Sequence, residues 1–235
     1  MAGGAILNRD KFLANIRQAS IAGRAYRVHP EQVSEQAGYV GTEDDCCAAM
    51  VDEVNKVGGV GTLVEDLQGA LTRLADIVSS HAVKSAVCWQ HDLLDRLGLA
   101  SFLDARGVRH SQYSAWSSWS TDQCRTTWLD ADIGITSADL AIAETGTLLV
   151  ASGPGHERVV SLLPPVHVAI VGRSQIVPDL IDATSWLQEL GFENFPSNVT
   201  LISGPSKTGD IELQLTTGVH GPGNWYVIVI QQDES

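Results

Sequence analysis

Cysteine is scarce in this chain and badly spaced for chemistry. Four occur in 235 residues: Cys46 and Cys47 adjoin, while Cys88 and Cys124 stand alone. These intervals hold no C-x-x-C pair and no zinc or iron–sulfur cradle, and they read most simply as free thiols in a reducing compartment. Positive charge is also short, with 15 Lys and Arg against 28 Asp and Glu and a net charge of -13. A nucleic-acid backbone or an anionic membrane surface is repelled by that balance. No run reaches the ~20 apolar residues of a membrane span, and the amino terminus MAGGAILNRDKF lacks the apolar core of a secretion signal. The expectation is a soluble, cytoplasmic protein with neither nucleic acid nor membrane as partner. Three signatures are missing as well: the nucleotide-binding G-x-x-x-x-G-K-[ST], the dinucleotide-binding G-x-G-x-x-G and the serine elbow G-x-S-x-G.

What remains is a chain built for burial. Hydrophobic residues make up 44% and charged residues 18%, which excludes disorder and fits one α/β core with a helical appendage. Phe12, Leu13, Ile16 and Ala19 recur at helical spacing behind Asn8 or Asp10 as caps, and residues 22–41 read as a linker or wrapping arm. Thr42 and Asp45 suggest a capping box for a helix whose apolar face is Cys47, Met50, Val51 and Val54, so the paired cysteines read as packing. Residues 1–57 are therefore grouped as a helical extension and linker, and residues 58–235 as an α/β domain.

Within that domain, spacing predicts a helix from Val64 to Val78 and strands at Lys84–Trp89, Ile133–Ile135, Leu148–Val150, His167–Gly172, Val199–Ile202 and Trp225–Ile230. Asp104–Ser111 reads as a short edge strand. The near-continuous apolar run HVAIVG suits a central strand covered on both faces. Trp116, Trp119 and Trp128, among serines and threonines, suit a ligand mouth, a subunit interface or core packing.

The polar turns hold the candidate chemistry. Thr145, Gly146 and Thr147 follow Glu144; Gly204, Ser206, Lys207 and Thr208 precede Asp210 and Glu212; His220 and Gly221 close a second turn. Glycine amides, hydroxyls and one ammonium suit a carboxylate or phosphate, with Glu144 or His220 to exchange a proton. A structural reading stands beside this one. Ser206 or Thr208 caps a short helix that receives Asp210 near its start, and His220 holds its turn through a backbone carbonyl. His156, His167 and His220 form a metal site only if folding gathers them, and none is expected.

Five segments in a fixed order carry a resemblance. Asp132–Thr136, Ala143–Thr147, Ser161–Pro165, Gly204–Glu212 and Gly218–Pro222 make the chain similar to the lactate-utilisation protein C family, the LUD-domain family, over roughly residues 84–231. The resemblance implies a three-layer, parallel-rich α/β fold like that of ribose-phosphate isomerases, glucosamine-phosphate deaminases and coenzyme A transferases. It implies a bacterial role in oxidising L-lactate to pyruvate beside two iron–sulfur proteins, which would carry the clusters while this chain holds no cofactor of its own. The family usually has arginine where this chain has Lys207, which keeps the charge and loses the planar fork. Two other readings stay open: an isomerase or acyl/coenzyme A transferase with Glu144 as base or nucleophile, and a structural or regulatory subunit.

Overall fold

The computed structural model describes residues 11, 13–18, 45–209 and 215–232. Contacts divide the chain into one unit within residues 1–40 and a larger one over residues 41–235. In the first, residues 13–18 are helical. The expected caps Asn8 and Asp10, the linker over residues 22–41 and Thr42 lie outside the described residues.

The larger unit begins with helix α1, Cys46–Lys56, whose amino-terminal amides at Cys47 and Ala48 donate to the Asp45 carboxylate at 3.1 Å. Asp45 is thus the cap, three residues beyond Thr42, where the predicted box begins. Cys47, Met50 and Val54 are buried in the main core, so α1, grouped by sequence with the extension, is part of the α/β unit. Val60–Val64 is strand β1, and helix α2 runs over Leu67–Ser80 behind Asp66. The predicted helix start at Val64 was therefore too early. The β-branched Val60, Thr62 and Val64 suit extended backbone, and the Asp66 side chain stops helix growth upstream by capping Gly69.

The chain continues through β2 (Ser85–Cys88), α3 (Asp92–Arg96), α4 (Leu99–Asp104), β3 (Arg109–Ser111), α5 (Tyr113–Trp116), α6 (Thr121–Leu129) and β4 (Ile133–Thr136). Then come β5 (Leu140–Ile142), β6 (Thr147–Ala151), α7 (Val159–Leu162), β7 (Val166–Gly172), β8 (Ile176–Val177), α8 (Leu180–Glu189), β9 (Val199–Ile202), β10 (Lys207–Gly209), β11 (Leu215–Thr217) and β12 (Asn224–Ile230). Six strands form a wholly parallel sheet in the order β1-β12-β7-β4-β2-β3. All seven residues of β7 are buried, which places helices or strands over both faces, as HVAIVG predicts. This is the three-layer, parallel-rich α/β architecture expected.

A second sheet, β8-β5-β6-β9, is largely antiparallel. It takes Val199–Ile202, which by sequence alone resumes the main sheet, because these four residues pair with Leu148–Ala151 instead. The order in which the chain lays down the parallel strands reverses at β2. From there the chain steps to β3 on one side and returns past β2 to β4 on the other, so the carboxyl ends of β2 and β4 frame a topological switch point.

Candidate functional site

Lys207, Thr208 and Gly209 are extended and pair with Leu215–Thr217 as an antiparallel ribbon. The predicted capped helix is absent from these positions. The Ser206 amide donates to the Pro222 carbonyl at 2.8 Å and the Ser206 carbonyl accepts from Gly218 at 3.0 Å, so the backbone bonds of this loop run across to the second turn. Thr208 on one strand and Thr216 and Thr217 on the other suit that ladder better than a helix. Asp210 and Glu212 lie outside the described residues.

The two predicted turns do meet. Ser206, Gly204, His220 and Gly221 line one cleft of about 220 Å³, with Ser161, Ser203 and Trp225 among its other walls. The Trp225 indole N–H is itself buried and has no hydrogen-bond partner among the described residues. His220 is exposed, and Ser206 is half-buried. The cleft sits by Asn224, the amino end of β12, whose amide donates to Pro165 just before β7. It therefore opens at the amino edge of the parallel sheet.

Thr145 and Thr147 reach the same neighbourhood through a chain of hydroxyls. Thr145 Oγ1 lies 2.7 Å from Thr147 Oγ1, which lies 2.7 Å from Ser203 Oγ. Gly146 turns with φ 59, and a Cβ there would stand 2.5 Å from the Val54 amide nitrogen, so close packing on α1 requires glycine. Lys207 also serves α1: its ammonium donates to the Val57 carbonyl at 2.6 Å, where the helix ends. Glu144 is half-buried, its amide donates to Pro178 at 3.0 Å, and it is not among the residues lining the His220 cleft. The structure thus joins the hydroxyl and glycine residues of the prediction and leaves Glu144 apart from His220.

A second constellation escaped the sequence reading. At the switch point, His156 stacks on Trp89 with ring centroids 4.3 Å and planes 5° apart, and His91 lies 5.7 Å from His156. Asp139, just beyond β4, approaches His156 Nδ1 at 3.9 Å while accepting from the Ala151 amide at 2.7 Å. His91 Nδ1 accepts from Leu93, so its proton sits on Nε2. Burial and then the nearby His156 hold the His91 imidazole below its ordinary range. Four residues from three loops converge here, and no local spacing announces them. The usable signal was topological: Trp89 and His91 directly follow β2, and Asp139 follows β4.

His167, by contrast, is structural. It is fully buried in β7 with Nε2 2.9 Å from Thr136 Oγ1, and burial pushes its pKa down to about 3. Among the described residues no group of histidine, cysteine and acid side chains is arranged to hold a metal ion. Trp116 is also core, with its indole N–H on Ser111 Oγ at 2.9 Å and Trp128 edge-on at 5.7 Å. Among the described residues no helix is long and apolar enough to cross a membrane.

Parallel sheet, companion antiparallel sheet and the ordered loop motifs together define one class of protein. The LUD-domain family model matches residues 47–230, and the chain belongs to that family. It is similar to lactate utilization protein C of Halalkalibacterium halodurans, 32% identical over 96% of this chain and 99% of that protein. The protein of the same name from Shouchella clausii is 32% identical over 96% of this chain and 98% of its own length. A crystal structure of a DUF162 family protein from Deinococcus radiodurans shares the fold, with a TM-score of 0.56 and 21% identity over 79% of this chain and 96% of that one.

Proposed function

We propose that this chain serves in lactate utilisation, as a component of the oxidation of L-lactate to pyruvate that acts with two iron–sulfur proteins. The observation that carries the reading is similarity along nearly the whole chain to proteins named lactate utilization protein C. Oxidation of lactate releases two electrons and two protons, and iron–sulfur clusters in the partners would take the electrons. Cys47, Cys88 and Cys124 are each buried in this chain and suit packing rather than cluster ligation.

The small carboxylate would sit between Ser206 and His220. A cleft of about 220 Å³ matches a three-carbon acid better than a nucleotide. Ser206 Oγ supplies a donor for its oxygens, and the His220 imidazole stands at the rim to take the hydroxyl proton. Lys207 has a smaller part than its charge suggests, because one of its donors already holds α1. Sedimentation of the chain with the two iron–sulfur proteins tests the partnership. Co-migration with faster lactate-dependent electron transfer is expected, and separate migration with an unchanged rate would overturn it.

A further inference from the structure

The switch point holds three titratable side chains that take no part in the Ser206–His220 cleft. His91 follows β2, Asp139 follows β4 and His156 lies in the loop after β6, and these loops meet at the carboxyl ends of β2 and β4. All three reach water. His156 keeps 24% of its side chain exposed and Asp139 17%, and His91 is half-buried. His91 Nε2 and both ring nitrogens of His156 have no hydrogen-bond partner among the described residues, and none of these atoms is sealed from solvent. A ligand at this surface can therefore touch them.

Packing accounts for part of the arrangement. His91 Nδ1 caps α3 by accepting from Leu93 at 3.2 Å, and His156 lies flat on Trp89, whose indole N–H is fixed on the Glu157 carbonyl at 3.1 Å. What is left over differs between the two rings. His91 is held neutral, and with Nδ1 occupied it offers an N–H at Nε2. His156 turns Nδ1 toward the Asp139 carboxylate at 3.9 Å, which favours the proton on Nδ1 and leaves Nε2 bare. The carboxylate and the Trp89 face both stabilise the imidazolium that forms when Nε2 takes a proton. One ring is thus a donor and the other a base, with centroids 5.7 Å apart. A neutral imidazole donor beside a base is the pairing that proton removal next to a carbonyl requires.

We propose that this pair catalyses the enolisation of a small neutral ketone or aldehyde that carries a hydrogen on the carbon beside its carbonyl. His156 Nε2 takes that proton as the C–H bond breaks. The electron pair moves into a new C=C bond, the carbonyl electrons move to oxygen, and the His91 Nε2–H hydrogen-bonds the developing enolate. Return of the proton to carbon restores the carbonyl compound, so the cycle needs no oxidant and no second reactant. Asp92, Asp95, Asp139 and Glu157 outnumber Arg158 around the rings, which favours a neutral substrate over another anion. His156 also walls a hollow of about 560 Å³ that can take the rest of the molecule. The site is separate from the carboxylate cleft, and its test does not involve lactate oxidation.

Exchange of carbon-bound hydrogen in heavy water, followed by proton NMR with the full chain, reads the step directly. Dihydroxyacetone is the neutral probe and pyruvate the anionic one. Dihydroxyacetone should exchange about 100-fold or more faster with the wild type than with His156→Gln, and this acceleration should exceed that of pyruvate. His91→Asn keeps a side-chain acceptor for the Leu93 amide and removes the Nε2 donor, so the rate should fall about tenfold or more while the melting temperature holds. Asp139→Asn should lower the rate and move the acid limb of its pH profile to lower pH, because the imidazolium loses its counter-charge. An acid limb that stays in place would remove Asp139 from its positioning role. Dihydroxyacetone exchange that is equal in the wild type, His156→Gln and His91→Asn would overturn the proposal, and a greater acceleration of pyruvate would overturn the neutral substrate.

Discussion

Lys207 donates its ammonium proton to the carbonyl of Val57 at 2.6 Å, across 150 positions of sequence. The bond ties the ribbon to the end of α1, where unpaired carbonyls and the negative end of the helix dipole favour a cation. Lys207→Met should therefore lower stability by about 0.5–1 kcal/mol, a melting shift of about 1–4 °C for a domain of this size. Thermal unfolding checks it. A variant that melts with the wild type but loses carboxylate binding would return Lys207 to the anion-site reading.

Gly134 lies in β4 beneath α7, and a Cβ there would run into the Val160 carbonyl. Gly134→Ala should cost about 3 kcal/mol or prevent folding, because both partners are backbone in a packed core. Gly153→Ala has nothing within 4 Å of the added carbon and should stay within about 0.5 kcal/mol of the wild type. Urea midpoints of the two variants make the comparison, and equal loss in both would contradict the packing.

His167 sets a pH dependence of known sign. Its pKa is about 3 in the folded chain against an ordinary 6.5, so between those values the unfolded chain binds the extra proton. Stability should be independent of this group above pH ~6.5 and fall progressively as pH drops toward ~3. His167→Gln should flatten that fall, whatever it does to stability at neutral pH. Urea midpoints at several pH values decide it, and an unchanged slope in the variant would contradict a buried neutral imidazole.

The four thiols should react in a fixed order. Cys46 is half-buried, whereas Cys47, Cys88 and Cys124 are buried, and burial raises the Cys88 pKa to about 12. Iodoacetamide labelling of the native protein, read by mass spectrometry, should modify Cys46 first and Cys88 only after unfolding. Labelling of Cys88 at the rate of Cys46 would place it outside the core.

The parallel core was legible because HVAIVG and WYVIVI can be stable in few other ways: near-continuous apolar runs of this kind need cover on both faces. The assignment of Val199–Ile202 to the main sheet failed because a four-residue strand does not name its partner, and β6 claimed it. Gly204–Thr208 read as a helix cap because serine, threonine and a following acid are the cap residues; the competing ladder to Leu215–Thr217 is non-local and invisible to spacing. The loops of Thr145, Ser206 and His220 were legible as polar turns, and the structure gathers Thr147, Ser203 and Ser206 as neighbours. Trp89, His91, Asp139 and His156 were not, because only the crossover at β2 brings their loops together.

The role in lactate oxidation is tested most directly by the rate of L-lactate-dependent electron transfer in a mixture of the two iron–sulfur proteins, with and without this chain, and with Ser206→Ala or His220→Ala in its place. The account predicts that the chain raises the rate and that either substitution lowers it about tenfold or more. An otherwise active mixture whose rate is the same with the chain, without it and with either variant would contradict the account.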